Sequence, residues 1–67
     1  MREKFEAILN QNGIYGESVE NVILAVHDML ACMADKLEAE EPNATTTIND
    51  LNRCAYTVFD LLNALDD

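Results

Sequence analysis

Few residues in this chain have side chains suited to chemistry. His27 is the single histidine and Cys32 and Cys54 are the two thiols. The acids form two Glu-x-x-Glu pairs, Glu17 with Glu20 and Glu38 with Glu41. A catalytic or metal-bound imidazole needs acid, thiol or imidazole partners converging on it. On a helix, His27 has Ile23, Leu24 and Ala31 as its neighbours, so it reads as a packed or boundary residue. A nucleophilic thiol needs a base or a helix N-terminus beside it. Cys32 lies among Ala31, Met33 and Ala34. Arg53 adjoins Cys54 in sequence, but adjacent helical residues do not face each other. Both thiols therefore read as free cysteines packed in a core. The two glutamate pairs fall at opposite ends of one helix, about 30 Å apart at the helical rise, and cannot share a metal within the chain. Gly13 and Gly16 are not followed by the Lys-Ser or Lys-Thr of a phosphate loop. The expectation is a protein that is not an enzyme, with no cofactor and no metal.

Charge narrows the partners. Thirteen acidic residues oppose four basic ones, a net charge of -9. Nucleic acid is bound by neutralising phosphates with Lys and Arg, and two of the four bases, Arg2 and Lys4, are interleaved with Glu3 and Glu6. Direct nucleic-acid binding is excluded on that ground, as is an anionic membrane surface. A charged partner should be a protein with a basic surface. The opening Met1 to Glu6 lacks the apolar core of a signal peptide. The most apolar stretch, Val22 to Ala34, is broken by His27 and Asp28 and too short to span a bilayer. A cytoplasmic location is expected.

The elements that carry these residues are helical. The first helix is expected over about 2–11, with Phe5, Ile8 and Leu9 on one face. Asn12-Gly13 closes it, and Ile14 folds back onto Leu9. The second runs over about 18–40, with Ser18 as N-cap. Val19, Ile23, Val26, Leu30, Met33 and Leu37 alternate steps of four and three, a heptad stripe. Pro42 ends it by pushing Glu41 out of helical geometry. The third is expected over about 47–65, Thr47 and Asp50 resembling a capping box, with Ile48, Leu51, Ala55, Val58, Leu62 and Leu65 as its stripe.

The two stripes fit each other. A short loop makes consecutive helices antiparallel neighbours, and facing residues then have nearly constant summed numbers. Leu37 with Ile48, Leu30 with Ala55, Val26 with Val58, Ile23 with Leu62 and Val19 with Leu65 all give 84 or 85. The expected fold is all-α: one small domain made of a short N-terminal helix and a long antiparallel αα-hairpin. Apolar residues remain over on the flanks, and a domain below roughly 70–80 residues often needs help from a partner chain. A homo-oligomer is expected, the hairpin being completed by dimerisation into a helical bundle through Val22, Met29, Phe59 and Leu61.

The acids have two readings. Net charge keeps an apolar-rich chain dispersed. Alternatively, the acids form a docking surface for a basic cleft. Asp35, Glu38, Glu40 and Glu41 crowd a helix C-terminus and Asp66 and Asp67 another, positions where carboxylates oppose the helix dipole. The docking residues are then Asp35, Glu38, Glu40 and Glu41, with Asp28 and Asp50 beside them. In size, charge and helicity the chain resembles small acidic helical proteins that block nucleic-acid-handling enzymes, phage counter-defence proteins among them. That likeness is compositional, carries no motif and implies a regulator or inhibitor of the DNA-mimic type. Two alternatives stand beside it. One is an oligomeric adaptor binding through apolar surface (Leu24, Met29, Tyr56, Phe59). The other is a small-ligand or metal site formed between subunits.

Overall fold

The computed structural model describes residues 2–65. Three helices make up the chain: α1 (Arg2–Gln11), α2 (Val19–Glu40) and α3 (Thr45–Leu65). Among the described residues there is no strand. The expected αα-hairpin is present, with α2 and α3 packed along their length.

Local chemistry sets the helix ends. At the close of α1, Gly13 takes a positive φ of 78°. Its N–H donates to the Asn10 carbonyl, and the Ile14 N–H donates to the Leu9 carbonyl at 2.9 Å. Those two bonds make a Schellman cap, which occupies carbonyls the helix leaves without partners. Ser18, in extended geometry, caps α2 by accepting the Asn21 N–H at 3.1 Å. At the other end Glu41 leaves helical geometry before Pro42, and its N–H still donates to the Leu37 carbonyl at 2.7 Å. The hairpin turns over residues 41–44, where the Ala44 N–H donates to the Glu41 carbonyl. This bond centres the turn where the summed register demands. Helix α3 starts two residues earlier than the sequence suggests. Thr47 is thus already inside the helix and does not cap it. The short turn leaves no room for a longer lead-in.

The seam between α2 and α3 holds the core. Val19, Ala34, Ile48, Ala55 and Leu62 are buried. Four of these belong to the expected facing pairs. Ala34 does not, yet it is the most buried residue of the chain at 1% exposure. The contact line on α2 is rotated away from the heptad stripe, towards Ala34 and half-buried His27. Alanines at the seam let two helices approach closely, and bulkier neighbours are turned outward. Val26 and Met33, both in the heptad stripe, are consequently exposed. The thiols also depart from expectation. Cys32 and Cys54 are both free and exposed rather than core-packed, because the hairpin buries only the sides that face each other.

Helix α1 lies across the open end of the hairpin and buries none of its own residues. Phe5, Ile8 and Leu9 gather with Val19, Val22 and Ile23 around a shallow apolar hollow. Arg2 pairs with Glu20 in the first turn of α2. The whole measures 41 × 26 × 13 Å, with a radius of gyration of 14.1 Å. A compact domain of this length has about 11 Å, so the molecule is a slab.

Candidate functional site

The slab has two broad faces of opposite character. On one side an apolar cleft of about 400 Å³ opens between the helices. Phe5 of α1 forms one wall; Val22, Ile23 and Val26 of α2, with Val58, Leu61 and Leu65 of α3, form the others. Among the described residues no charged side chain lines it. Nearer the turn, a second hollow of about 320 Å³ is bounded by Met33, Leu37, Thr47 and Leu51, with Lys36 and Glu40 at its rim. Helical spacing links the two hollows. At about 100° per residue, Val22, Val26, Met29 and Met33 fall on one strip of α2. Cys54, Val58, Leu61 and Leu65 fall on the matching strip of α3. Met29 is 60% exposed, Met33 55% and Leu61 63%.

The opposite face carries three acids of α2. Around α2, Asp28, Asp35 and Glu38 lie roughly 120–180° from Val26, and all three are exposed. His27 marks this side. Its ring stands 5.6 Å from that of Phe59, tilted by 53°. Its Nδ1 lies 3.1 Å from a carboxylate oxygen of Asp28. The packed or boundary position read from the sequence describes His27 well: half-buried between an aromatic ring and a solvated acid. Leu24, Tyr56 and Phe59 are exposed hydrophobics on this acidic side.

The six acids expected to dock therefore do not form one patch. Asp28, Asp35 and Glu38 share the acidic face. Glu40 turns to the apolar side, at the rim of the hollow near the turn. Glu41 sits in the turn as the C-cap of α2. Asp50 is exposed on α3, its helical phase towards the apolar side. Asp66 and Asp67 lie outside the described residues. The four expected oligomer residues divide too. Val22 and Leu61 line the cleft and Met29 stands on the same strip, whereas Phe59 is on the other side against His27. Two residues apart on a helix means about 200° of rotation, so Phe59 and Leu61 cannot share a face. Val26, Val58 and Phe5 complete the cleft. The first two were legible in sequence only as seam residues.

Electrostatics singles out one group. Glu20 is held below the ordinary carboxylate value by its own backbone N–H, free at the start of α2, and then by the Arg2 guanidinium. The Ser18 hydroxyl adds to this. Helix N-termini favour negative charge in just this way. The other Glu-x-x-Glu pair lies at the far end of α2. Among the described residues no group of three His, Cys, Asp or Glu side chains is placed to hold a metal ion. No helix among them is long and apolar enough to cross a membrane. The chain matches no protein-family model, no curated protein and no solved structure, so its function has to be read from the two faces alone.

Proposed function

We propose that this chain is a non-enzymatic protein-binding module. It docks its acidic face on a basic, nucleic-acid-handling protein and so inhibits or regulates it. The observation that carries the reading is segregation. Asp28, Asp35 and Glu38 stand exposed on the side of the hairpin remote from the apolar cleft, in a chain of net charge -9. Complementary potentials steer encounter and suppress wrong partners, and exposed Leu24, Tyr56 and Phe59 among the acids supply apolar contact area. In this reading the module works inside the cell as a homo-oligomer and touches neither nucleic acid nor membrane directly.

The test is capture from a lysate of the producing cells on immobilised protein, with salt-step elution and identification by mass spectrometry. A nucleic-acid-handling partner should leave at moderate salt, since exposed charge pairs are screened. The triple variant Asp28→Lys, Asp35→Lys, Glu38→Lys should lose that partner while keeping its helical circular dichroism. Undiminished capture by the folded triple variant would end the proposal. The apolar cleft supports a second reading, an adaptor that binds through hydrophobic surface. Salt-resistant capture that depends on Met29 and Leu61 would favour it.

A further inference from the structure

The chain exposes more surface than a free monomer of its mass. The described chain exposes 5090 Å², whereas a folded monomer of 7.5 kDa exposes about 4,250 Å² by the usual scaling with mass. The surplus, about 840 Å², is close to the roughly 800 Å² each partner contributes to a stable interface. The shape agrees with the area. Domains are ordinarily built from two packed layers of secondary structure, and this slab is 13 Å through its thinnest dimension. A further helical layer adds about 8–10 Å and brings that dimension close to the second, 26 Å.

We infer that a second copy of this chain covers the face formed by Val22, Val26, Met29, Met33, Val58 and Leu61, giving a closed twofold dimer with a shared core. The inference rests on the reading of the chain as a protein-binding module and specifies how that module assembles. Three observations choose a second copy as the occupant. The surplus surface of the whole chain matches what each partner contributes to a dimer. The face is a broad apolar strip on two parallel-lying helices, which suits the same surface presented by a copy, as an isologous contact requires. The acids Asp28, Asp35 and Glu38 point away from it, so two strongly negative chains meet without bringing these three charges together; on the apolar side Glu40 lies near Lys36 at the rim of the hollow by the turn, and Asp50 is exposed. Pairing apolar face to apolar face also sends the two acidic faces outward in opposite directions. The dimer then offers two equivalent docking surfaces.

The two thiols provide an internal test of which face is covered. Cys54 lies on the apolar strip of α3, whereas Cys32 lies at the outer edge of α2, and both are exposed in the single chain. Purified protein at high micromolar concentration should scatter light with the mass of two chains. Cys54 should be alkylated at least about tenfold more slowly than Cys32, as expected of a residue covered in a well-packed interface. Dilution to monomer should equalise the two rates. Met29→Glu with Leu61→Glu should raise the dimer dissociation constant by roughly 30-fold or more, the size of an interface hot-spot loss. Leu24→Glu, on the acidic face, should leave the mass unchanged. Both Met29 and Leu61 are largely exposed in the monomer, and unchanged circular dichroism shows that each variant still folds. A monomer at high concentration, a mass other than two chains, or a dimer in which Cys54 reacts as fast as Cys32 would overturn the inference. Self-association is read here without any outside partner. Its failure is thereby separate from failure of the acidic face to bind a basic protein, which the triple-lysine variant reports.

Discussion

The two faces of the hairpin are built on the same pair of helices, yet one is apolar from Val22 to Met33 and the other carries Asp28, Asp35 and Glu38. A free surface helix usually has one apolar stripe turned to the core and the rest polar. Here α2 has two apolar directions. One, through Ala34 and Leu30, meets α3. The other, through Val26, Met29 and Met33, is left 40%, 60% and 55% exposed. The difference teaches where the chain spends its hydrophobic residues. The seam combines Ala34 and Ala55 with Val19, Ile48 and Leu62, while Met29, Met33 and Leu61 are left on the surface.

Four experiments break or sharpen this contrast. The seam supports both faces, so damage there should be the most severe. Ala34→Asp places a carboxylate where exposure is 1%, at a cost of about 3 kcal/mol or more. A chain of this length has a total stability of roughly 3–10 kcal/mol. Loss of helical circular dichroism near room temperature is expected. A fully helical variant would mean that the seam is looser than the burial indicates.

The next contrast sets the faces against each other by one matched change. Met29→Ser on the apolar side should weaken self-association by about tenfold, the loss of one well-packed apolar side chain. Leu24→Ser on the acidic side should not change it. Equal effects in sedimentation would abolish the distinction between the faces.

A smaller effect concerns the cover that α1 lays over one end of the apolar side. Gly13→Ala meets no neighbouring atom, so its consequence comes from the backbone alone. A φ of 78° costs an alanine about 1–2 kcal/mol. Amides of α1 should exchange faster while those of α3 keep their protection. Uniform acceleration across all three helices would show that α1 is coupled to the hairpin more tightly than its lack of buried residues implies.

The smallest effect is electrostatic. Glu20 is depressed in the folded chain below its ordinary value of 4.5. Its contribution is therefore complete above that value and is lost as pH falls through the lower folded value. Protection of α1 amides should drop over that acidic range, and Glu20→Gln should show the weakened protection at neutral pH. The pair is half-buried and still reached by solvent, so added salt should imitate the acid in part. A pH-independent α1 would assign its docking to Phe5 and Leu9 alone.

Much of this architecture was legible in the residues because it follows from local rules. Gly13 is where α1 must close, Ser18 where α2 opens and Pro42 where it ends. The constant sums across the two stripes fixed the hairpin and its turn. The start of α3 was less legible, since three threonines in succession offer several equivalent beginnings. The candidate site was harder. Both glutamate pairs and both cysteines looked comparable in sequence, yet Glu20 of one pair is tied to Arg2 and both thiols are exposed. Phe59 and Leu61 stand near each other in the chain but occupy opposite faces.

By itself, then, the sequence determined the helices, their caps, the antiparallel register and the excess of negative charge, all of which depend on neighbours within a turn or on a simple period. Only the tertiary structure decided which side of each helix meets the other. Ala34 and Ala55 are buried where α2 meets α3, and the rotation of α2 about its axis that puts Ala34 there decides whether Val26, Met29 and Met33 are core or surface. A heptad pattern cannot choose between those outcomes, because the apolar arc of α2 is wide enough to satisfy either.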